Sequence, residues 1–177
     1  MNILAIESSC DDTSAAVLTD QGIQSNIIAS QSVHLQFGGV VPELASRAHQ
    51  KTITQTVQQA LEEGDTSLDD IEAIAVTQGP GLLGSLLVGI CFAKGLALSR
   101  NIPLIGVNHM DAHIYANFID HQPEFPLVAL TVSGGHTQLV HVRSPFEHEV
   151  IGKTRDDAAG EAFDKIGKLL GLPYPAG

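Results

Sequence analysis

Basic residues are scarce in this chain. Nine Lys and Arg stand against twenty Asp and Glu in 177 residues, a net charge of −11, so there is no polybasic surface for a phosphate backbone. Any nucleic-acid role must draw its positive charge from elsewhere. Cysteine is nearly absent as well: Cys10 and Cys91 lie far apart and cannot form a disulfide framework. The first residues carry no charged leader followed by an apolar run and a cleavage site, so the chain is expected in the cytoplasm. Long apolar runs are missing too. The longest, residues 82–98, is broken by Gly84, Ser85, Gly89, Lys94 and Gly95, and reads as a buried helix rather than a membrane span. No low-complexity segment or flexible linker separates the remaining elements.

What is present is an ordered series of short apolar runs. Residues 2–7, 14–19 and 23–32 read as a meander of antiparallel strands divided by the turns Cys10-Asp11-Asp12 and Asp20-Gln21-Gly22. A helix is predicted over 42–63, with Pro42 in its first turn, Leu44, Ile53, Val57 and Leu61 on its apolar side, and Gly64 as its stop. A strand at 73–77 follows, and Gly79-Pro80-Gly81 leads into a helix over 82–99. The small residues Gly84, Ser85, Gly89 and Ala93 would let that helix lie close to a neighbouring backbone. A strand at 104–107 and a helix ending near Asp120 complete a βββαβαβα unit. From Gln122 the pattern restarts, with strands at 126–133, 138–142 and 148–152 and an amphipathic helix over 157–170 capped by Gly171. The expectation is α/β architecture, with residues 1–122 as one RNase H-like lobe and 123–177 as the start of a second, incomplete one.

Three features carry chemistry. His109 and His113 are one turn apart at the start of a predicted helix, where both imidazoles project from one face and suit a transition-metal ion. Two surface histidines on an amphipathic helix would share that spacing. The turn Ser133-Gly134-Gly135-His136-Thr137 can form an anion-binding nest through positive φ at its glycines, or can simply close a hairpin. Its counterpart, Ser9 to Thr13, supplies Asp11 and Asp12, which can hold a metal-bound phosphate or only cap the turn. His34, His49, His121, His141 and His148 have no ligand spacing and read as surface residues.

Six segments recur, in this order, in a known family: Glu7-Ser8-Ser9-Cys10-Asp11-Asp12-Thr13; Gly38-Gly39-Val40-Val41-Pro42-Glu43-Leu44-Ala45-Ser46-Arg47; Thr77-Gln78-Gly79-Pro80-Gly81-Leu82; His109-Met110-Asp111-Ala112-His113; Val132 to Thr137; and Asp156 to Lys165. Together they resemble the tRNA N6-adenosine threonylcarbamoyltransferase family, formerly described as O-sialoglycoprotein endopeptidases. The resemblance covers the whole chain and implies the actin, sugar-kinase and Hsp70-like ATPase fold of two repeated lobes. It also implies transfer of threonylcarbamoyl from threonylcarbamoyl-AMP to N6 of adenosine 37 in tRNAs reading ANN codons. By the same resemblance His109 and His113 are metal ligands for iron (Fe2+) or zinc, and Asp11 is a catalytic acidic residue. Val132, Ser133, Gly134, Gly135, His136, Asp164 and Gly177 would be substrate contacts. The nucleotide ligand would be threonylcarbamoyl-AMP, AMP or ATP. Implied partners are tRNA, a fold-sharing paralogous subunit and a P-loop ATPase subunit.

The chain departs from the family pattern at Asp12, where members usually carry Glu, and at Ala176, where they carry Gly. Members also continue into the rest of the second lobe, which supplies an aspartate as third metal ligand. The 177 residues are therefore expected to be an amino-terminal portion, inactive alone and prone to self-association through an uncovered sheet. Three other functions could be suggested by these residues. A zinc peptidase needs Glu beside its first helix histidine, and Met110 stands there. A non-catalytic, fold-sharing scaffold subunit is the alternative to catalysis, but such paralogues generally lack the paired histidines. A phosphotransferase of the same fold would leave the pair unused.

Overall fold

The short runs at the amino terminus pair as the turns between them dictate: β1 (Ile3–Glu7), β2 (Asp12–Thr19) and β3 (Gly22–Ser30) form an antiparallel meander. The computed structural model describes residues 1–176, with backbone alone at Leu35 and Gln36. On the other side of β1, β4 (Ala73–Gly79) and β5 (Leu104–Asn108) add in parallel, giving the order β3-β2-β1-β4-β5. Three parallel strands, β1, β4 and β5, thus end at one edge of the sheet, where α/β folds collect their functional loops.

Two helices pack on this sheet. α1 (Pro42–Glu63) starts on Pro42 without a side-chain cap, with Glu43 in its first turn paired to Arg47 at 2.6 Å. Its end differs from expectation: Gly64 keeps φ at −81°, and the left-handed residue is Asp65. A Cβ at Gly64 would stand 3.0 Å from the Ala60 carbonyl and 3.2 Å from both Val17 and Ser25 of the sheet, so those neighbours would have to give by a few tenths of an ångström. α2 (Leu83–Arg100) ends in left-handed Asn101 and buries Ser85, Gly89, Ala93 and Ala97, one residue per turn. A side chain at Gly89 would collide with buried Ser8, which explains the small-residue stripe.

The core of this unit joins Leu4, Ile6, Ala15, Val17, Ile74 and Val76 of the sheet to Ile53, Val57 and Ala60 of α1 and Ala93 and Ala97 of α2. Full burial of Leu4 and Ile74 contributes roughly 1.5–3 kcal/mol each. α2 is not the fully buried helix expected from its composition: Leu83 and Leu98 are each 73% exposed, so only its small-residue side is covered. By length and composition α2 is long and apolar enough to cross a membrane.

The second unit begins at Met110, and Leu35–Gly39 cluster with it. α3 (His109–Tyr115) is followed by a single 3-10 turn at Ala116–Phe118, a shorter helix than expected. Residues 110–122 read from the sequence as the end of the first lobe, yet they group with the second unit because Ile114 and Phe118 pack on Val140 and Val142. β6 (Leu127–Val132), β7 (Thr137–Ser144) and β8 (Glu147–Lys153) form an antiparallel sheet in sequence order, and α4 (Ala159–Leu169) follows. Phe118 stands edge-on to both Tyr115 and Phe125, at 5.6 and 5.9 Å.

Strand alternation puts Leu127 and Ala129 into this small core and turns Val128, Leu130 and Val132 outward. The apolar stripe of α4, Phe163, Ile166 and Leu169, is also exposed, Leu169 at 86%. Apolar surface of this extent drives association. The 177-residue chain should self-associate as its concentration rises, read by sedimentation velocity; a single monomer that binds no hydrophobic dye would contradict this.

Candidate functional site

The carboxyl ends of the parallel strands gather the candidate residues of the first unit. β1 runs into the turn Ser8 to Asp11, β4 into Gly79-Pro80-Gly81, and β5 directly into His109. The turns are locked together. The Leu82 N–H donates to the Ser9 carbonyl at 2.7 Å, and a Cβ on Gly81 would lie 2.6 Å from that same oxygen. Only glycine permits this approach.

Beneath the Asp11 turn lies a buried polar network. His49 is fully buried; its Nε2 donates to the Cys10 carbonyl at 2.9 Å and its Nδ1 accepts from Thr13 Oγ1 at 2.7 Å. A carbonyl only accepts, so Nε2 carries the proton. Ser85 Oγ donates to the same carbonyl at 3.0 Å, and Ser8 Oγ donates to the Ser85 carbonyl at 2.9 Å. His49 was expected at the surface, as was His34, which is 1% exposed and bonded to Gln31 at 2.8 Å and to the Val41 N–H at 3.3 Å. Both expectations are corrected: each imidazole has two partners supplied by distant segments or a turn, and that satisfaction is what allows burial.

Asp11 is half-buried in the turn, and Asp12, the first residue of β2, is exposed. Partial burial of the Cys10 thiol and the adjacent Asp11 carboxylate push its pKa up to about 12. Cys10 is thus no nucleophile at neutral pH, although it lies at the surface. An iodoacetamide probe at mildly alkaline pH should leave Cys10 unmodified, read by peptide mass mapping; stoichiometric labelling there would contradict the raised pKa.

His109 opens α3 with its Nδ1 3.2 Å from Ser9 Oγ and 3.4 Å from Glu7 Oε2. Glu7, the last residue of β1, also accepts from the Ser9 N–H. Burial alone would raise the Glu7 pKa; hydrogen bonds from His109, Ser9 and Thr77 outweigh it and bring the carboxyl down to about 2. Nothing in the sequence reading had singled out Glu7. The signal was available: a lone acidic residue ending an otherwise apolar parallel strand.

His113 is exposed one turn further along α3 and lines an open pocket of about 480 Å³ with Asn117, Phe118 and β6. Among the described residues no group of three His, Cys, Asp or Glu side chains converges as a metal site. The two imidazoles of α3 suit iron or zinc in kind and spacing, and by number they make part of a donor set.

In the second unit, Val132 ends β6 and pairs with Thr137, so Ser133 to His136 form the loop of a hairpin. The Ser133 N–H donates to the His136 carbonyl at 2.8 Å, and Ser133 Oγ accepts from the His136 N–H at 3.0 Å. Neither Gly134 nor Gly135 is left-handed, so of the two readings open for this turn it is the hairpin closure that forms and not the positive-φ nest. Both glycines are exposed with open space where a Cβ would be. The amino end of α4 abuts this loop: Ala159 N–H donates to Thr137 Oγ1 at 2.9 Å and Gly160 N–H to the Ser133 carbonyl at 3.2 Å. Asp164 accepts from the Ala176 N–H at 2.8 Å, which ties the tail to α4; Gly177 lies outside the described residues.

Comparison with known proteins gives the arrangement its context. A family model described as tRNA N6-adenosine threonylcarbamoyltransferase matches residues 22–177. The chain belongs to the tRNA N6-adenosine threonylcarbamoyltransferase family. Family members so named from Christiangramia forsetii and Cytophaga hutchinsonii are 61% and 60% identical over the whole chain, which covers 53% and 52% of them. The chain therefore spans about half the length of the curated relatives it matches. Among solved structures, YeaZ from Pseudomonas aeruginosa aligns with a TM-score of 0.59 at 18% identity, over 91% of this chain and 70% of that one. ROK hexokinase from Thermus thermophilus aligns at 0.51 and 16% identity, over 98% and 66%. The fold is the actin, sugar-kinase and Hsp70-like one, as the order of strands and helices in this family member leads one to expect.

Proposed function

We propose that this chain carries part of the machinery that forms threonylcarbamoyl-adenosine in tRNA, taking the threonylcarbamoyl group from threonylcarbamoyl-AMP to N6 of adenosine 37 in ANN-decoding tRNAs. The observation that supports this best is His109, at the carboxyl end of β5, hydrogen-bonded to the β1 terminus that leads into the Asp11 turn. His109 and His113 would supply two imidazole ligands to iron or zinc, with further donors from outside the described residues. Such an ion, when bound, polarises the carbamoyl or carboxylate oxygen as a Lewis acid. Asp11, half-buried in the turn that follows Ser9, would be the acidic residue that acts on the reacting group. The exposed backbone of Gly134 and Gly135 leaves room for the adenylate, flanked by Val132, Ser133 and His136, with Asp164 beside it.

With a net charge of −11 on this chain, much of the tRNA contact would come from partner subunits, a fold-sharing paralogue and a P-loop ATPase, or from the rest of the second lobe. A purely scaffolding role in the same complex would make no use of the ordered His109. Cytoplasmic location follows from the substrate. The test is transfer of threonylcarbamoyl to unmodified tRNA by the protein at the full length of its relatives, with those subunits present. His109→Ala, His113→Ala and Asp11→Asn should each lower the rate by on the order of 100-fold or more. The His113→Ala protein should also lose bound metal. Unchanged rates in all three, or unchanged metal content, would overturn the proposal.

A further inference from the structure

We propose that His49 is a positioning residue for Asp11, its imidazole clamping the turn on both sides of that carboxylate and fixing where it points. The inference rests on the role proposed for Asp11 in the transfer reaction. Asp11 follows Cys10, and the Cys10 carbonyl and the Asp11 N–H belong to one planar peptide unit. Two donors from different helices hold that carbonyl: His49 Nε2 of α1 at 2.9 Å and Ser85 Oγ of α2 at 3.0 Å. A peptide plane held in this way does not turn about the chain, so the Cα–Cβ bond of Asp11 keeps one direction. On the far side of Asp11, at the start of β2, His49 Nδ1 accepts from the Thr13 hydroxyl at 2.7 Å. One buried ring thus spans residues 10 to 13.

The composition of α1 argues that the ring supplies orientation as well as packing. A buried row of the helix runs Ala45, His49, Ile53, Val57 and Ala60, one residue per turn, and His49 alone in it is polar. An aliphatic side chain of similar volume would fill the same space without the cost of dehydrating an imidazole. The ring is 0% exposed, so it touches no substrate and acts only through the backbone and hydroxyl it holds. Ser85 shares this task. It is also 0% exposed, and its own carbonyl accepts from Ser8 Oγ at 2.9 Å, which ties the clamp to the residue that follows β1. The Asp11 turn is therefore braced from α1, from α2 and from the end of β1, all within the first unit.

The experiment is a double-mutant cycle on the transfer of threonylcarbamoyl to unmodified tRNA, with the protein at the full length of its relatives and its partner subunits present. His49→Leu, which keeps the bulk and loses both hydrogen bonds, should lower kcat on the order of 10–100-fold and leave KM for tRNA unchanged. His49→Gln, whose amide can donate to the Cys10 carbonyl, should restore most of that loss. Made in an Asp11→Asn background, His49→Leu should cost about twofold or less, because the clamp acts through the carboxylate it aims. A purely structural role would cost the same factor in both backgrounds. Should His49→Leu fail to fold, judged by far-ultraviolet circular dichroism, Ser85→Ala takes its place, with a smaller loss and the same dependence on Asp11. Equal losses in the two backgrounds, or no loss in either, would overturn the positioning role and leave Asp11 as the acting residue. Full activity of Asp11→Asn would instead refute the part proposed for Asp11, and the assignment to His49 with it.

Discussion

Replacing His49 by alanine is expected to destabilise the first unit by about 3 kcal/mol, the largest single effect of any side chain in the polar layer. Two costs add. The imidazole is fully buried between α1 and the β1–β2 turn, so its removal leaves a cavity where α1 and the sheet are already pinned by Ala45, Ile53 and the small side of α2. The removal also takes one of the two partners of Thr13 Oγ1, leaving Thr52 Oγ1 at 3.0 Å, and withdraws one of the two donors on the Cys10 carbonyl. Each hydrogen bond lost from the network costs about 0.5–1.5 kcal/mol. Urea unfolding followed by a probe in the first unit should show the midpoint lowered by roughly 1–3 M with an unchanged slope. His49→Gln, which keeps one donor, should recover part of the loss. A midpoint within experimental error of wild type would mean that the network is not what holds the Asp11 turn.

Much of the fold could be read from residue order because its signals are local. Pro42 and Gly64 bracket α1, and α1 spans the residues expected. The strand runs alternate or end in turns, and the observed strands lie within a few residues of the predicted ones. The small-residue stripe of α2 foretold a close approach, and Gly89 against Ser8 is that approach. The misreadings share one cause, which is that burial is decided by partners distant in the chain. His49 looks like a surface histidine on a polar helix until Thr13 and Cys10 are brought to it by sheet pairing. Conversely, the apolar faces of α2 and α4 look like core from periodicity, yet Leu83, Leu98 and Leu169 are exposed.

The site was legible in part for the same reason. His109 and His113 announced themselves by spacing, which is a property of one helix, and α3 carries both as expected. The Gly134-Gly135 turn was ambiguous by sequence because two glycines permit either a left-handed nest or a hairpin loop. Cross-strand pairing of Val132 with Thr137 chose the hairpin. Glu7 went unread because its meaning lies in His109, just past β5, about a hundred positions away and reached only through the parallel sheet.

Glu7 should also dominate the acid side of the stability profile. Its carboxyl titrates near 2 in the folded protein against an ordinary value of 4.5, so the fold prefers the ionised form. A depressed folded pKa contributes stability that is complete above about pH 4.5 and drains away as the pH falls towards 2. The shift corresponds to about 3 kcal/mol at full strength, and to roughly 2 kcal/mol once the partial exposure of Glu7 and His109 is allowed for. Glu7→Gln carries no titrating group there and resembles the protonated form at every pH. The variant should therefore be less stable than wild type by about 2 kcal/mol near neutrality. The two urea-unfolding curves should converge between about pH 4.5 and 2, because the other carboxylates titrate equally in both. The difference between wild type and variant isolates Glu7 from the remaining nineteen acidic residues, whose collective protonation relieves the repulsion of a net charge of −11. A constant offset across that pH range would mean that Gln fails for reasons of packing, and that the hydrogen bonds from His109, Ser9 and Thr77 do not depend on the charge of Glu7.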